Sequence, residues 1–460
     1  MRSVVWKSVS VLLAGGLLAS PVLAKTEALT HFTLIDGTGR APVRDSALII
    51  TNGKIAWVGP ASRLKVAKGV KILNLTGKFV MPGLIDNHVH LGLVDGIAQD
   101  LKYYSRESVE KQLHLYAAYG VTSVQVLGTD KDEIHAIVRD IRADPKGRAR
   151  VWTAGRGVVF QGSYGGVPGL PAQVATPAEA KAMVDREAAK GADFIKLWVD
   201  DEFGSLPDRM PPAISTAVIA EAHKDGKKAV AHIFYYANAA ELTREGVNGF
   251  AHSVRDRPVD AKLIAAMKAK GVWQMAATLS REASFTYDLL PFVDDPFFSR
   301  GVTPEVVAAL KDPERRKRLA SGPNFPKYPG VLATAMANFA REAKAGIPYG
   351  MGTDSGPTAR FPGYFAHWEL ELMVKAGVTP LQALTAATGR NAQFMRAVNV
   401  GTIQPSKAAD LLVLDKDPTR DIRNTRSIDR VMIAGENVPT IWQTCVGRPN
   451  TACGPGGAGH

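Results

Sequence analysis

Pro82-Gly83-Leu84-Ile85-Asp86-Asn87-His88-Val89-His90 is the stretch from which the rest of the chain can be read. Apolar Leu84 and Ile85 start a strand, and the two histidines end it. Residues i and i+2 of a strand point to one face, so His88 and His90 share a direction. In parallel barrels the chemistry gathers at the C-terminal ends of the strands, and two neutral imidazoles there suit a Zn-class ion. Taken alone, the pair reads equally well as two core histidines.

Outward from this strand the chain alternates short apolar runs with helical stretches. The runs at 83–89, 121–127, 151–154, 194–198, 228–231, 249–251, 272–275 and 347–352 predict strands. Those at 177–190, 211–224 and 237–245 predict helices. Thr176 offers a cap and Pro177 a first helical residue. Strand–helix alternation repeated about eight times predicts an α/β fold, a (β/α)8 TIM barrel; an open doubly wound sheet is the alternative. The two ends differ in character. Asn52-Gly53 between apolar runs signals a hairpin, and Leu411-Leu412-Val413-Leu414 and Arg430-Val431-Met432-Ile433 match it at the other end. These N- and C-terminal segments predict a small β-sandwich bracketing the barrel. Residues 155–170 and 279–330 read as long loops over the active end, the second as a partial lid or specificity insert.

Further strand-end residues strengthen the histidine pair. Lys196 interrupts Phe194-Ile195-Lys196-Leu197-Trp198. A lysine in a buried strand must be neutralised or paired. Protonated, it has no lone pair for a metal, but as a carbamate it would bridge two cations; pairing to an acid is the other reading. His232 and His252 end two later runs, and Asp354 ends the last. In a closed barrel all these ends converge on one point. His367 reads as packed at a helix start, and His114 and His135 as surface residues.

With Gly191-Ala192-Asp193-Phe194-Ile195-Lys196, His232, His252, Gly352-Thr353-Asp354-Ser355-Gly356 and Ala409-Asp410-Leu411-Leu412-Val413-Leu414-Asp415 beside the first run, the sequence resembles the amidohydrolase superfamily. It is most similar to the binuclear branch of Xaa-Pro dipeptidases and imidazolonepropionase-related hydrolases. The likeness runs from about residue 30 to 440. It implies two divalent metal ions, Zn by preference. His88, His90 and Asp354 would hold one, His232 and His252 the other, and a CO2-derived carbamate on Lys196 would bridge them. It also implies a metal-activated hydroxide attacking an amide carbonyl, with Asp354 as catalytic proton shuttle. One departure stands out. Many close relatives carry a histidine two residues after the fifth-strand ligand, where this chain has Phe234; Tyr235 or Tyr236 is a candidate replacement.

The resemblance implies dipeptides or N-acyl amino acids as small-molecule substrates. Arg156, Tyr164, Arg255, Arg257 and Arg360 follow expected strand ends, and an arginine there can grip a carboxylate in bidentate fashion. A lactone or cyclic-amide hydrolase, a deaminase, or a non-catalytic metal- or solute-binding protein would use the same ligands.

The 460 residues, 46% hydrophobic and 22% charged, suffice for a barrel with a smaller unit and argue against wholesale disorder. The net charge of +12 is scattered, and without a recognition motif it predicts no nucleic-acid partner. Arg2 and Lys7, the apolar run Val11–Leu18 and the small-residue site ending at Ala24 predict a signal peptide. The expected organisation is thus signal 1–24, β-sandwich 25–80 and 401–440, barrel 81–400 and tail 441–460. Export to the bacterial periplasm or medium is expected, with no membrane span after cleavage and with a homo-oligomeric state. Cys445 and Cys453 in the tail then form a candidate disulfide.

Overall fold

The computed structural model describes residues 25–439 apart from residue 202. The expected signal peptide and the Cys445–Cys453 pair lie outside the described residues.

The two ends of the chain meet in one mixed sheet of eight strands. Its order runs Glu436–Asn437, Ile428–Ile433, Leu411–Leu414, Phe79–Pro82, Thr26–Leu34, Val43–Thr51, Lys54–Pro60, with Lys71–Asn74 beside Thr26–Leu34. The Asn-Gly hairpin forms as expected: Asn52 and Gly53 both have positive φ, +48° and +76°, the condition for a turn whose twist matches the strands. Leu412 pairs with Met81. That register hands the chain directly to Leu84–Val89, so the terminal sheet fixes where the first histidine strand begins.

Parallel strands fill the middle, giving a TIM-barrel-like α/β fold. Leu84–Val89, Val121–Val126 and Arg150–Thr153 form one sheet; Val158–Phe160, Phe194–Trp198, Lys228–His232, Gly249–Phe250 and Trp273–Gln274 form another with Ala172–Val174. Asp193 N donates to Thr153 O (2.8 Å) between them. Residues 347–352, expected as a strand, make isolated parallel bridges instead. Tyr349 pairs with Gln274, and Ser355 with Val89. Asn391 ties this segment to the first strand. Its Nδ2 donates to Ile85 O and Met351 O (2.7 Å each), and its Oδ1 accepts from Met351 N (3.1 Å). Met351 O also accepts from Asn87 N (3.0 Å), so the buried amide adds to the backbone pairing there.

Helices lie between the strands. Pro177–Lys190 shows why: Thr176 accepts from Glu179 N, Pro177 opens the first turn, and Gly191 ends the helix at φ +95°, each residue in its favoured place. Inside, Ile85, Leu127, Phe194, Val230, Met275 and Phe394 share one buried cluster, which fills the strand bottoms and leaves the histidine ends to line a cavity.

Two local expectations are corrected. Residues 279–330 are not an open loop: they contain Leu279–Ser284, Pro296–Ser299, Pro304–Lys311 and Pro313–Ala320 as helices. Phe292 packs on Tyr364 and Trp368 at ring distances of 4.4 and 5.0 Å, joining the insert to the helix Tyr364–Lys375. His135 is buried, with Nε2 3.3 Å from Glu187 Oε2. His367 is buried at its helix start, bonded to Tyr119 O and Thr425 Oγ1. Among the described residues no helix is long and apolar enough to cross a membrane.

Candidate metal centre

His88 is the penultimate residue of Leu84–Val89 and His90 follows the strand. Lys196 sits mid-strand, His232 ends Lys228–His232, and His252 lies two residues past Gly249–Phe250. The rings of His88 and His90 are 5.3 Å apart, His88 and His252 5.0 Å, and His232 and His252 4.1 Å. Asp354 closes the group: its Oδ1 is 2.7 Å from His90 Nε2 and 3.6 Å from His88 Nε2. Single ligand atoms of His88, His252 and Asp354 come within 4.8 Å of one another.

Two residues hold this arrangement in left-handed backbone, Thr278 at φ +54° and Asp354 at φ +57°. Such strain persists where the surroundings over-determine it. Asp86 supplies part of that: its carboxylate accepts from Thr353 N (3.0 Å), Thr353 Oγ1 (2.6 Å) and His88 N (3.2 Å), tying the Asp354 turn to the first strand. Thr129 and Thr278 hydroxyls meet Nδ1 of His90 and His252 at 2.5 and 2.7 Å. These contacts fix the His90 and His252 rings through Nδ1 and leave Nε2 of each as the remaining donor, the kind of outer hydrogen bond that orients metal-binding imidazoles.

Burial sets the charge states. It pushes His232 down to about 4 and holds His88 and His252 well below the usual imidazole range, so the rings are neutral and carry lone pairs. Burial alone would raise Asp354; Arg360, His88 and His90 outweigh it and keep the carboxyl well below its ordinary value. Lys196 is fully buried, and burial pushes it down to about 7 against the pull of Asp354 and Asp200. The donors fit a divalent cation on the structure's own evidence. His88 Nδ1, His252 Nε2 and Lys196 Nζ are buried without a hydrogen-bond partner, and neutral imidazoles with a carboxylate are a Zn-type donor set.

The cavity at this point is about 40 Å³ and is lined by His88, His90, His232, His252 and Asp354 with Thr129, Tyr164, Trp198 and Arg360. Of the residues expected to touch substrate, Tyr164 and Arg360 therefore reach it. Arg255 lies buried behind, 3.3 Å from Glu282. Arg156 pairs with Asp132 (3.0 Å), Tyr235 donates to Asp201 (2.7 Å), Tyr236 donates to Asp260 (2.8 Å), and Arg257 covers the Tyr236 ring; none of these four lines the cavity. Phe234 lies under the Arg255 guanidinium at 4.8 Å.

Asp200 and Arg281 were not singled out from the sequence. Asp200 Oδ2 is 3.2 Å from His232 Nε2, and Arg281 Nε is 2.8 Å from Asp354 Oδ2. Asp200 had a signal, since even spacing from Lys196 through Trp198 continues one strand face. Arg281 had none, because it arrives from the insert.

Residues 79–438 match the model of the amidohydrolase family. The chain belongs to the amidohydrolase family. It is accordingly a hydrolase, with a His/Asp cluster suited to metal. It is 25% identical to a dihydroorotase of Pelotomaculum thermopropionicum, across 95% of this chain and 96% of that one. Among solved structures it is similar to a candidate prolidase from Bifidobacterium longum, 25% identical, covering 90% of this chain and 94% of that one at a TM-score of 0.71. A Xaa-Pro dipeptidase with bound methionine shares the fold at 21% identity, 90% and 99% coverage and a TM-score of 0.70.

Proposed function

We propose that the chain is an exported metal-dependent amidohydrolase cleaving C–N amide bonds of dipeptides or N-acyl amino acids. The observation that carries the reading is the meeting of His88, His90, His232, His252, Lys196 and Asp354 at one buried point. In this reading His88, His90 and Asp354 would hold one Zn-class ion and His232 and His252 a second, and Lys196, as a carbamate, would supply a ligand to both. The low Lys196 pKa of about 7 supports the carbamate, because only the neutral amine reacts with CO2. When bound, such ions polarise a carbonyl and make water nucleophilic near neutral pH.

The chain's own groups do the rest. Asp354 takes a proton from the attacking water and returns it to the leaving nitrogen as the C–N bond breaks, giving carboxylate and amine. Arg360 holds Asp354 ionised until that moment. Tyr164, with its ring 5.1 Å from that of His232, covers the pocket. The working architecture is taken as a (β/α)8 barrel with a small terminal β-sandwich. Residues 1–24 direct export in this reading, and the mature chain assembles as a homo-oligomer.

A second reading is favoured by the dihydroorotase likeness across nearly the full length of both chains: a cyclic amide, lactone or deaminase substrate at the same centre. The deciding experiment follows amine release from dipeptides and N-acyl amino acids by the mature chain loaded with Zn and bicarbonate. Asp354→Asn runs beside it, with folding checked by circular dichroism. Release by wild type and a loss of roughly 10²–10⁴-fold in the variant are expected. Near-wild-type activity in a folded Asp354→Asn sinks the proton-shuttle role. No release from metal-loaded wild type moves the substrate to the cyclic class.

A further inference from the structure

The pocket at the histidines is about 40 Å³, little more than one water's share of liquid, so the body of a substrate must lie elsewhere. A second cavity, about 530 Å³, adjoins it; Pro357 and Arg360 line both. Its apolar wall includes Val94, Ile97, Leu115, Val302, Val306 and Phe361. Among the charged residues that also border it, Asp95, Glu107 and Glu305 are exposed, at the rim, and Lys111 is half-buried. A third cavity, among Phe285, Tyr328 and Arg318, shares no lining residue with the histidine pocket. The volume and apolar lining of the second are those of a ligand site.

We propose that this second cavity receives the side chain on the amine side of the scissile bond, that of a large apolar amino acid. The inference rests on the amide-hydrolase reading above. Asp354 returns its proton to the leaving nitrogen, and Arg360 touches Asp354 while forming the boundary between the cavities. Whatever the leaving nitrogen carries therefore lies on the Arg360 side, facing the apolar wall. The segment 301–309 supplies part of that wall, which makes the insert a determinant of specificity while its Phe292, Phe297 and Phe298 remain packed in the core.

The test compares N-acetyl-L-phenylalanine with N-acetylglycine in wild type, Ile97→Trp and Ala309→Phe, the last two narrowing the cavity without touching the histidine centre. Wild type should favour the phenylalanine substrate in kcat/KM by at least about tenfold, given what buried methylenes contribute to discrimination. Each variant should erode that ratio while keeping the glycine rate. A ratio near one in wild type, or one unchanged in both variants, overturns the proposal and leaves amide hydrolysis standing. A preference set instead by acyl length on glycine also overturns it. If no amide is cleaved, the functional reading has failed separately, and calorimetric titration with L-phenylalanine and glycine decides the cavity. Selective binding of phenylalanine that Ile97→Trp abolishes upholds it; equal or absent binding overturns it.

Discussion

Arg360 donates from Nη1 to Oδ2 of Asp354 at 2.5 Å, while Oδ1 of the same carboxylate faces His90 Nε2 at 2.7 Å. Arg281 Nε also meets Oδ2 at 2.8 Å, so one carboxylate is divided between two permanent cations and a ring of the candidate metal centre. Arg360 is the largest favourable influence keeping Asp354 ionised.

Arg360→Met should therefore raise the Asp354 pKa. A proton acceptor must be ionised, so the acidic limb of the pH–rate profile should move to higher pH, with activity above the limb less affected. The profile of kcat against pH reads this directly. A limb that stays in place would mean that Arg360 does not set the charge on Asp354.

The four imidazoles and Lys196 should determine metal content. His252→Ala and Lys196→Met should fold, as judged by circular dichroism, yet bind less than wild type when metal is counted by emission spectrometry. Chelation of wild type should abolish activity, and Zn should restore it. Unchanged metal content in both variants contradicts the assigned ligands.

Glu342 is a separate buried carboxyl whose Oε2 has no hydrogen-bond partner, and burial alone raises it from 4.5 to about 8. In the unfolded chain it loses its proton near 4.5, whereas the folded chain keeps it to about 8. Over that window the folded state binds more protons, so stability falls as pH rises and stays lowered above it. Glu342→Gln should melt several degrees above wild type at about pH 9, at roughly 2–4 °C per kcal/mol for a large domain. The difference should vanish near pH 4. A pH-independent difference in Tm would remove titration as the cause.

Gly356, at φ +114°, passes so close to the first strand that an added Cβ would sit 1.8 Å from His90 O. Gly356→Ala must displace His90 or its own loop, in addition to a backbone penalty of about 1–2 kcal/mol. Loss of activity together with a lower Tm is expected. Wild-type values for both would show that the loop can yield without moving the ligand.

Most of the metal centre was legible because its signals are local. A histidine, lysine or aspartate at the end of an apolar run is visible in a few residues, and strand alternation gives its face. The helix 177–190 was equally legible, since Thr176 and Pro177 stand together at its start. The residues expected to grip substrate were less so. Arg156, Arg257, Tyr235 and Tyr236 follow strand ends as well as Arg360 does, but Asp132, Asp201 and Asp260 draw the first, third and fourth aside, and Arg257 rests on Tyr236.

The sequence by itself determined the alternation of strands and helices, the pairing of the two ends and which side chains stand at the strand ends as candidate metal ligands, because each is written in short-range periodicity and residue chemistry. Only the tertiary structure decided that Arg281 arrives at Asp354 from the insert and that Asn391 bridges Ile85 and Met351. It also decided that His135 is buried against Glu187, and that a 530 Å³ cavity opens next to Arg360. Those outcomes depend on which distant segments pack together, and side chains far apart in sequence acquire partners only when the core brings them within hydrogen-bonding reach.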